Sequence, residues 1–389
     1  MLNVIFFNAK TFLNKEVQSA LRRRSDIHTL SAEVPVYPPS DAAQSVFDQL
    51  APFLPAVVVS LNDAGYDSAG VLSSLLAQSG SFQINWYYDD PLYEHIYYKR
   101  ALPDLRRRID FVSEQSFGPL LRDKGFNAHF LPLAAAPEYF NMNGPAPAYK
   151  YDISFVGSSS LQFMDGITTE PVQNELDKFK PLLARLRDSY NRNPRQSIRD
   201  WLYKHDSEWR SRVAIDPDAF VFVMQWMVGY LYRKNFVVDI ARTYKQRFIC
   251  LGDIYWSRFM DPALVSTDAL YYTNLCSYYR SCKINLNINR IQTLTSFTQR
   301  IFDCKASGAF LLTDKRALNS EYFITEGENR EFVEYTSLSH CKELIDYYLI
   351  HDDERERIAL AGRENVLKNH TYDNRIEEIL ALAKKTWGI

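Results

Sequence analysis

Residues 283–314 decide the fold, and they read KINLNINRIQTLTSFTQRIFDCKASGAFLLTD. The segment opens with an apolar run of strand length that ends near Ile288, and a polar stretch, 289–297, follows it. Residues up to Ser307 then have the pattern of a helix, and a second apolar run of strand length closes the segment. The pattern therefore predicts strand, loop, helix and strand, the repeating unit of an open α/β sheet.

The start of the predicted helix is the most informative part of this segment. Ser296 or Thr298 could cap the helix, and Gly308 is placed to follow its last turn. Open α/β sheets bind ligands at the carboxyl ends of strands, and a helix N-terminus offers unpaired N–H groups and positive charge. Arg290 and Arg300 flank this point, and guanidinium groups bind phosphate oxygens in pairs. The sequence therefore predicts a diphosphate site here.

Asp303 lies one helical turn after Arg300, on about the same side of the helix. Its carboxylate could accept hydrogen bonds from both hydroxyls of a ribose. The alternative is a surface ion pair between Arg300 and Asp303, which contributes only about 0.3–0.5 kcal/mol. The spacing alone leaves both interpretations open.

The composition narrows the class of protein. A chain of 389 residues exceeds what one hydrophobic core usually accommodates, so two domains are expected. A net charge of −2 gives no electrostatic reason to bind nucleic acid or an anionic membrane. The five cysteines form no CxxC pair, which favours reduced thiols in a cytoplasmic protein over disulfides or zinc. The longest apolar run, 220–232, is too short to cross a bilayer.

The predicted elements divide the chain. Strands alternate with helices in the first third: predicted strands cover 4–7, 56–60, 84–87, 109–112 and 129–131, and predicted helices cover 15–24, 41–50 and 71–79. The predicted domains are 1–136, a linker at 137–150, and 151–371 with a helical insertion at about 172–244, followed by a terminal helix at 372–389. In that last helix Thr371 is the expected cap, and the apolar stripe comprises Ile376, Ile379, Leu380 and Ala383.

Small and acidic residues end the predicted strands of the second domain. Gly157 and Ser158 form a turn whose backbone could approach a diphosphate, and an ordinary strand-to-loop turn is the alternative. Gly252 and Asp253 end the next strand and could touch the nucleotide base. The insertion contains one further pair of candidates for binding phosphate, Arg233-Lys234, for which a solvated helix end is the favoured interpretation.

Candidate catalytic residues lie in the first domain. Asp89 and Asp90 follow the strand that ends at Tyr87, where one carboxylate could orient or deprotonate an acceptor hydroxyl. The alternative is that Asp90 caps a helix whose first residue is Pro91. His95 is a second candidate base, for which a structural role is the alternative.

Several segments, taken in order, resemble the glycosyltransferases of the CgeB-like (spore maturation protein) family. They are WYYDDP at 86–91, DISFVG at 152–157, NLNI at 285–288, RIFDCKASGAFLLTD at 300–314, ELIDYYL at 343–349, ERIALAG at 356–362, and HTY at 370–372 with Arg375. The resemblance covers most of the chain and is strongest in 283–375. The chain has Asp303 where glutamate is common in that family.

The resemblance implies a GT-B fold, in which two Rossmann-like domains face each other across a cleft. It implies that the second domain holds a nucleotide sugar, and that the sugar moves to a hydroxyl of a protein, glycan or other acceptor without a bound catalytic metal or other cofactor. Two alternatives remain. One is a non-catalytic protein derived from this fold that binds a glycan or partner during surface assembly, and the other is a nucleotide-sugar epimerase or hydrolase.

Overall fold

The computed structural model describes residues 1–91, 101–144 and 148–389, and it divides the chain into two units. The first unit comprises Met1–Ala134 together with His370–Ile389, and the second comprises Ala135–Asn369.

The first unit contains a parallel six-stranded sheet. Its strands and the helices between them are β1 (Leu2–Asn8), α1 (Asn14–Arg22), β2 (Ile27–Glu33), α2 (Ala43–Leu50), β3 (Val57–Leu61), α3 (Val71–Gln78), β4 (Phe82–Tyr87), β5 (Arg108–Val112), α4 (Phe117–Arg122) and β6 (Ala128–Phe130). The strand order is β2-β1-β3-β4-β5-β6. Every residue of β3 is buried, as expected for a parallel strand covered on both faces.

The second unit contains another parallel six-stranded sheet, with a group of helices between its first two strands. Its elements are β7 (Tyr151–Val156), α5 (Leu161–Ile167), α6 (Glu170–Lys178), α7 (Lys180–Arg192), α8 (Ile198–His205), α9 (Trp209–Arg212), α10 (Pro217–Tyr244), β8 (Phe248–Leu251), β9 (Val265–Ser266), α11 (Leu275–Arg280), β10 (Cys282–Asn287), α12 (Gln299–Ala306), β11 (Leu311–Asp314), α13 (Asn319–Tyr322), β12 (Val333–Tyr335), α14 (Leu338–Tyr348) and α15 (Asp352–Asn369).

The strand order of this second sheet, β12-β11-β10-β7-β8-β9, determines where a ligand can bind. Numbered within the unit, the order is 6-5-4-1-2-3, the doubly wound Rossmann arrangement. The chain reverses direction across the sheet between β7 and β10, which pair directly, with Ile153 opposite Ile284. Ligands of such sheets bind at the carboxyl ends of the two strands at this switch point.

Helix α10 is the longest element of the insertion, and it packs against the loop after β10. A Cβ atom at Gly229 would lie 2.6 Å from the Ile291 side chain, so only glycine permits this approach. Within the part of the chain that the structure describes, no helix combines the length and apolar content that a membrane span requires.

The terminal helix α16 (Tyr372–Trp387) belongs to the first unit. The predicted cap is confirmed, because the Thr371 side chain accepts a hydrogen bond from Asn374 N and the Asn374 side chain accepts one from the Thr371 backbone. The predicted stripe is also confirmed, since Ile376, Ile379, Leu380 and Ala383 are all buried. Arg375 is buried as well, and its Nε donates to Pro132 O at 2.9 Å.

We expect Arg375→Ala to lower the free energy of unfolding by about 2–4 kcal/mol, because it leaves a buried carbonyl without its donor. Urea denaturation of the full chain measures the change. Lys385→Ala, an exposed position on the same helix, is the matched control and should change stability by less than about 0.5 kcal/mol. Equal effects of the two substitutions would contradict the anchoring role of Arg375.

Gly229→Ala is expected to destabilise the protein by about 1–3 kcal/mol, because the new methyl group displaces Ile291 and the loop after β10. The control is Gly166→Ala in α5, where a Cβ atom would meet nothing within 4 Å. That control should instead raise stability by up to about 1 kcal/mol through helix propensity. Thermal melts of both variants give the comparison, and a stabilising Gly229→Ala would refute the close approach.

Candidate functional site

The candidate site lies in the second unit, at the carboxyl ends of β7 and β10. Three segments meet there: the turn that begins at Gly157, the loop 289–297, and the first turn of α12. Helix α12 begins after Thr298, as predicted, and Gly308 follows it with a φ of +69°. The strand, loop, helix and strand predicted for 283–314 are therefore confirmed.

Arg300 points toward the turn after β7. Its Nη1 donates to Asn287 Oδ1 at 2.5 Å, and its guanidinium carbon lies 5.4 Å from the centre of the Phe155 ring. A Cβ atom at Gly157 would lie only 3.0 Å from Arg300 Nη2. The missing side chain at Gly157 therefore makes room for the guanidinium group of Arg300.

Three guanidinium groups influence one another at this point, those of Arg233, Arg290 and Arg300. Burial, and then the positive charges of Arg290 and Arg300, lower the pKa of Arg233 to about 9. The pKa of Arg300 is also lowered, first by burial and, among its cationic neighbours, by Arg290. Arg233 and Arg300 are half-buried and Arg290 is exposed. Positive groups held close together in a partly buried site disfavour their own charge, and a bound anion reverses that effect. The cluster is therefore arranged for a multiply charged anion.

Asn287 binds the Arg300 side chain of this cluster, and the sequence analysis did not identify it as a site residue. It is fully buried at the end of β10, where its Nδ2 donates to Thr313 Oγ1 at 2.8 Å. Its Oδ1 accepts from Arg300 and also from Thr298 Oγ1, at 3.1 Å. Thr298 is the N-cap residue of α12, which was one of the two predicted alternatives, but its hydroxyl bonds to Asn287 and makes no cap hydrogen bond.

A second buried network holds the loop that carries Arg290. Asp314 Oδ1 accepts from both the backbone N and the Nδ2 of Asn289, each at 2.9 Å. Asp314 also pairs with Arg316, whose Nη1 donates to the carbonyl of Pro194 in the insertion. The loop is thereby tied to β11 and to the helical insertion.

The turns after β7 and β8 are fastened to each other. Asp253 Oδ2 accepts from Ser158 Oγ and from Ser159 N, both at 2.7 Å. A Cβ atom at Gly252 would lie 2.3 Å from the carbonyl oxygen of Gly157, so glycine is required there. Ser158, Gly252 and Asp253 thus shape the turn at the switch point, and the contacts that the sequence predicted for them with a donor stay predictions.

Two further predicted residues of the donor site are buried. Asp303 is 1% exposed, and its Oδ1 accepts from Gln299 Nε2 at 2.7 Å. Ser296 is fully buried in the loop before α12. The predicted contact between Asp303 and a ribose stays a prediction.

The position of Arg233 corrects the interpretation of Arg233-Lys234 as a solvated helix end. Helix α10 continues to Tyr244, so both residues lie inside it, and Arg233 faces the loop after β10. Its Nη2 donates to Ile288 O at 3.3 Å. Because Ile288 lies 55 residues further along the chain, the sequence could name Arg233 as a candidate for binding phosphate but could not place it beside this loop.

The candidate catalytic residues lie in the first unit. Asp89 is half-buried, and its Oδ2 accepts from Asn62 Nδ2 at 3.1 Å. Asn62 Oδ1 in turn accepts from Tyr88 N at 2.9 Å and from Asp89 N at 3.3 Å. Asp90 is half-buried next to it, whereas His95 lies outside the described residues. Asn62 therefore fixes both the backbone and the carboxylate of Asp89.

In the described ranges no group of three or more His, Cys, Asp and Glu side chains is placed to hold a metal ion. Two closely spaced aspartates, Asp216 and Asp218, lie at the start of α10, where Asp216 serves as the helix cap. The Asp216 side chain caps α10 by accepting from Asp218 N and Ala219 N, each at 2.9 Å.

Part of the chain matches a known protein family. Residues 233–381 match a family model described as "Glycosyl transferase-like". None of the curated proteins compared with the chain matches it.

Solved structures match over nearly the whole chain. A sucrose-phosphate synthase from Thermosynechococcus elongatus is 11% identical, with a TM-score of 0.52 and 100% of both chains covered. Anabaena Alr3699/HepE in complex with UDP is 11% identical, with a TM-score of 0.51, and 98% of this chain and 100% of that one are covered. An α-glucosyltransferase in complex with UDP-glucose and DNA is 9% identical, with a TM-score of 0.51 and coverage of 98% and 99%.

At these identities the likeness establishes the fold, and the predicted fold class is confirmed. The chain therefore has the GT-B fold, and its residues 233–381 resemble the glycosyl transferase-like family.

Proposed function

We propose that the protein transfers a sugar from a nucleoside-diphosphate sugar to a hydroxyl group of an acceptor. The observation that carries this proposal is the cluster of Arg233, Arg290 and Arg300 beside the amino end of α12, at the switch point of the second sheet. A helix N-terminus and clustered guanidinium groups together suit a diphosphate.

The arginines have a direct part in the proposed chemistry. When the bond between the sugar and the diphosphate breaks, the leaving diphosphate takes the electron pair and gains negative charge. Fixed positive groups that are already in place stabilise this charge more than they stabilise the unreacted donor. Arg233 and Arg300 have the suitable positions, and we propose that they supply this charge without a catalytic metal.

The structural neighbours indicate which nucleotide to test first. Two neighbours with the same fold are described as complexes with UDP and with UDP-glucose. Uridine diphosphate is therefore the first nucleotide to test.

The acceptor hydroxyl needs a base as its oxygen attacks the anomeric carbon. We propose that Asp89 accepts this proton, since Asn62 holds its carboxylate in one orientation. Of the two neighbouring carboxylates, Asp89 is the one that Asn62 binds, whereas the sequence pattern gave Asp90 a possible role as a helix cap.

We expect Arg300→Met to abolish the rise in melting temperature that UDP produces, because a neutral side chain of similar length cannot bind the diphosphate. A panel of UDP, GDP, dTDP and CDP in the presence of EDTA tests the nucleotide and the independence from metal together. Arg187→Met, an exposed position on α7, is the control and should retain the full shift. An unchanged shift in Arg300→Met, or no shift with any nucleotide in the unmodified protein, would overturn the donor site.

Asp89→Asn should separate binding from catalysis. The amide cannot accept the proton, so we expect the transfer rate to fall by about 100-fold or more, while the affinity for the nucleotide stays within about twofold. Release of nucleoside diphosphate in the presence of candidate acceptors measures the rate, and titration calorimetry measures the affinity. Asp48→Asn on α2 is the exposed control in the same unit. Full transfer activity in Asp89→Asn would exclude Asp89 as the base.

A further inference from the structure

A pocket lies between helix α10 and the loop after β10, directly beside the arginine cluster. Trp226, Tyr230 and Arg233 line it from the helix, and Arg290 and Gln292 line it from the loop. The three helix residues follow one another at intervals of four and three, so they lie on one face of α10. Because Arg233 and Arg290 belong both to the pocket and to the cluster, a diphosphate bound there would have this pocket next to it.

Gln292 offers a hydrogen-bond acceptor to this pocket. It is only 7% exposed, and its Oε1 has no hydrogen-bond donor among the residues that the structure describes. Buried amide oxygens almost always accept a hydrogen bond, so this atom needs a donor, and a ligand in the pocket can supply one. A hydroxyl group is such a donor.

The opposite wall is aromatic. Trp226 and Tyr230 are half-buried, and the Phe163 ring holds Trp226 in place with a centroid distance of 4.3 Å. The C–H face of a sugar ring packs on aromatic side chains, while the hydroxyl groups at its rim bind polar atoms. The walls of this pocket thus combine a surface for a ring with an acceptor for a hydroxyl.

We infer that the open side of this pocket, whose enclosed volume is only about 20 Å³, packs against the sugar ring of the donor, so that the helical insertion, through Trp226, and the loop, through Gln292, select which sugar is transferred. The inference rests on the proposed function, because it requires a diphosphate at the arginine cluster. It gives the insertion a role in selecting the sugar, in addition to the Arg233 side chain that α10 contributes to the arginine cluster.

The test compares two ligands that differ only in the sugar. Affinities for UDP and for UDP-glucose, UDP-galactose and UDP-N-acetylglucosamine are measured by titration calorimetry, and the conjugate that binds most tightly is used further. Gln292→Met keeps the size of the side chain and removes the acceptor. We expect this substitution to lower the affinity for the conjugate by about tenfold and to change the affinity for UDP by less than about twofold.

Two further variants complete the design. Trp226→Leu removes the aromatic wall and should produce the same selective loss, by about fivefold or more. Gln173 is exposed on α6 of the same insertion, so Gln173→Met should change neither the affinity for UDP nor the affinity for the conjugate. Melting temperatures of the free variants show whether each one folds.

The outcomes separate this inference from the proposed function. If Arg300→Met loses UDP but Gln292→Met and Trp226→Leu weaken UDP and its conjugate equally, the donor site stands and the sugar pocket is overturned. If the two variants leave both affinities unchanged, the pocket is likewise overturned. If no nucleotide binds to the unmodified protein, the proposed function fails, and the inference fails with it.

Discussion

The repulsion between the half-buried guanidinium groups of Arg233 and Arg300 and the exposed one of Arg290 is the constraint around which the candidate site of the second unit is organised. Arg233 and Arg300 bond to a backbone carbonyl and to an amide, which hold them in position without neutralising them. In the first unit, by contrast, carboxylates neutralise a buried arginine. There, burial alone would lower the pKa of Arg108, but Asp110 and Asp63 pair with it and raise its pKa well above the ordinary value. A buried arginine that is neutralised in this way serves the fold, whereas a cluster that keeps its charge is available to a ligand.

Keeping the cluster together requires close contacts between segments that are distant in the sequence. Glycine provides them at three points: Gly157 admits Arg300, Gly252 admits the carbonyl of Gly157, and Gly229 admits Ile291. At each of these points a methyl group would push two segments apart by several tenths of an ångström or more. The polar networks centred on Asn287 and Asp314 then fix the segments that the glycines bring together. Packing and hydrogen bonding thus work against the electrostatic repulsion in the free protein.

The sequence predicts those parts of this arrangement that depend on local patterns. Strand β10, helix α12 and Gly308 follow from hydrophobic spacing and from the residues at the helix ends, and Arg300 follows from its place near that helix start. The edge strands β2, β9 and β12 were not predicted. Strand β2 alternates polar and apolar residues and is half-exposed, and the other two have only two and three residues. Asn287 could not be recognised as a site residue, because its role depends on contacts across the fold. Arg233 was a candidate for binding phosphate, but the sequence favoured a solvated helix end, because its contact with Ile288 also spans the fold.

The pKa of Arg233 determines the charge of this side chain at neutral pH. Its value in the folded protein, about 9, lies below the ordinary value for arginine, so folding disfavours the charged form. The group nevertheless remains charged at pH 7, which means that the unfavourable energy is present at every pH below about 9. An anion that binds the cluster relieves this energy, so the repulsion that the fold already maintains contributes to the affinity for such an anion. Because α10 delivers Arg233, the insertion contributes to that repulsion as well as to the shape of the site.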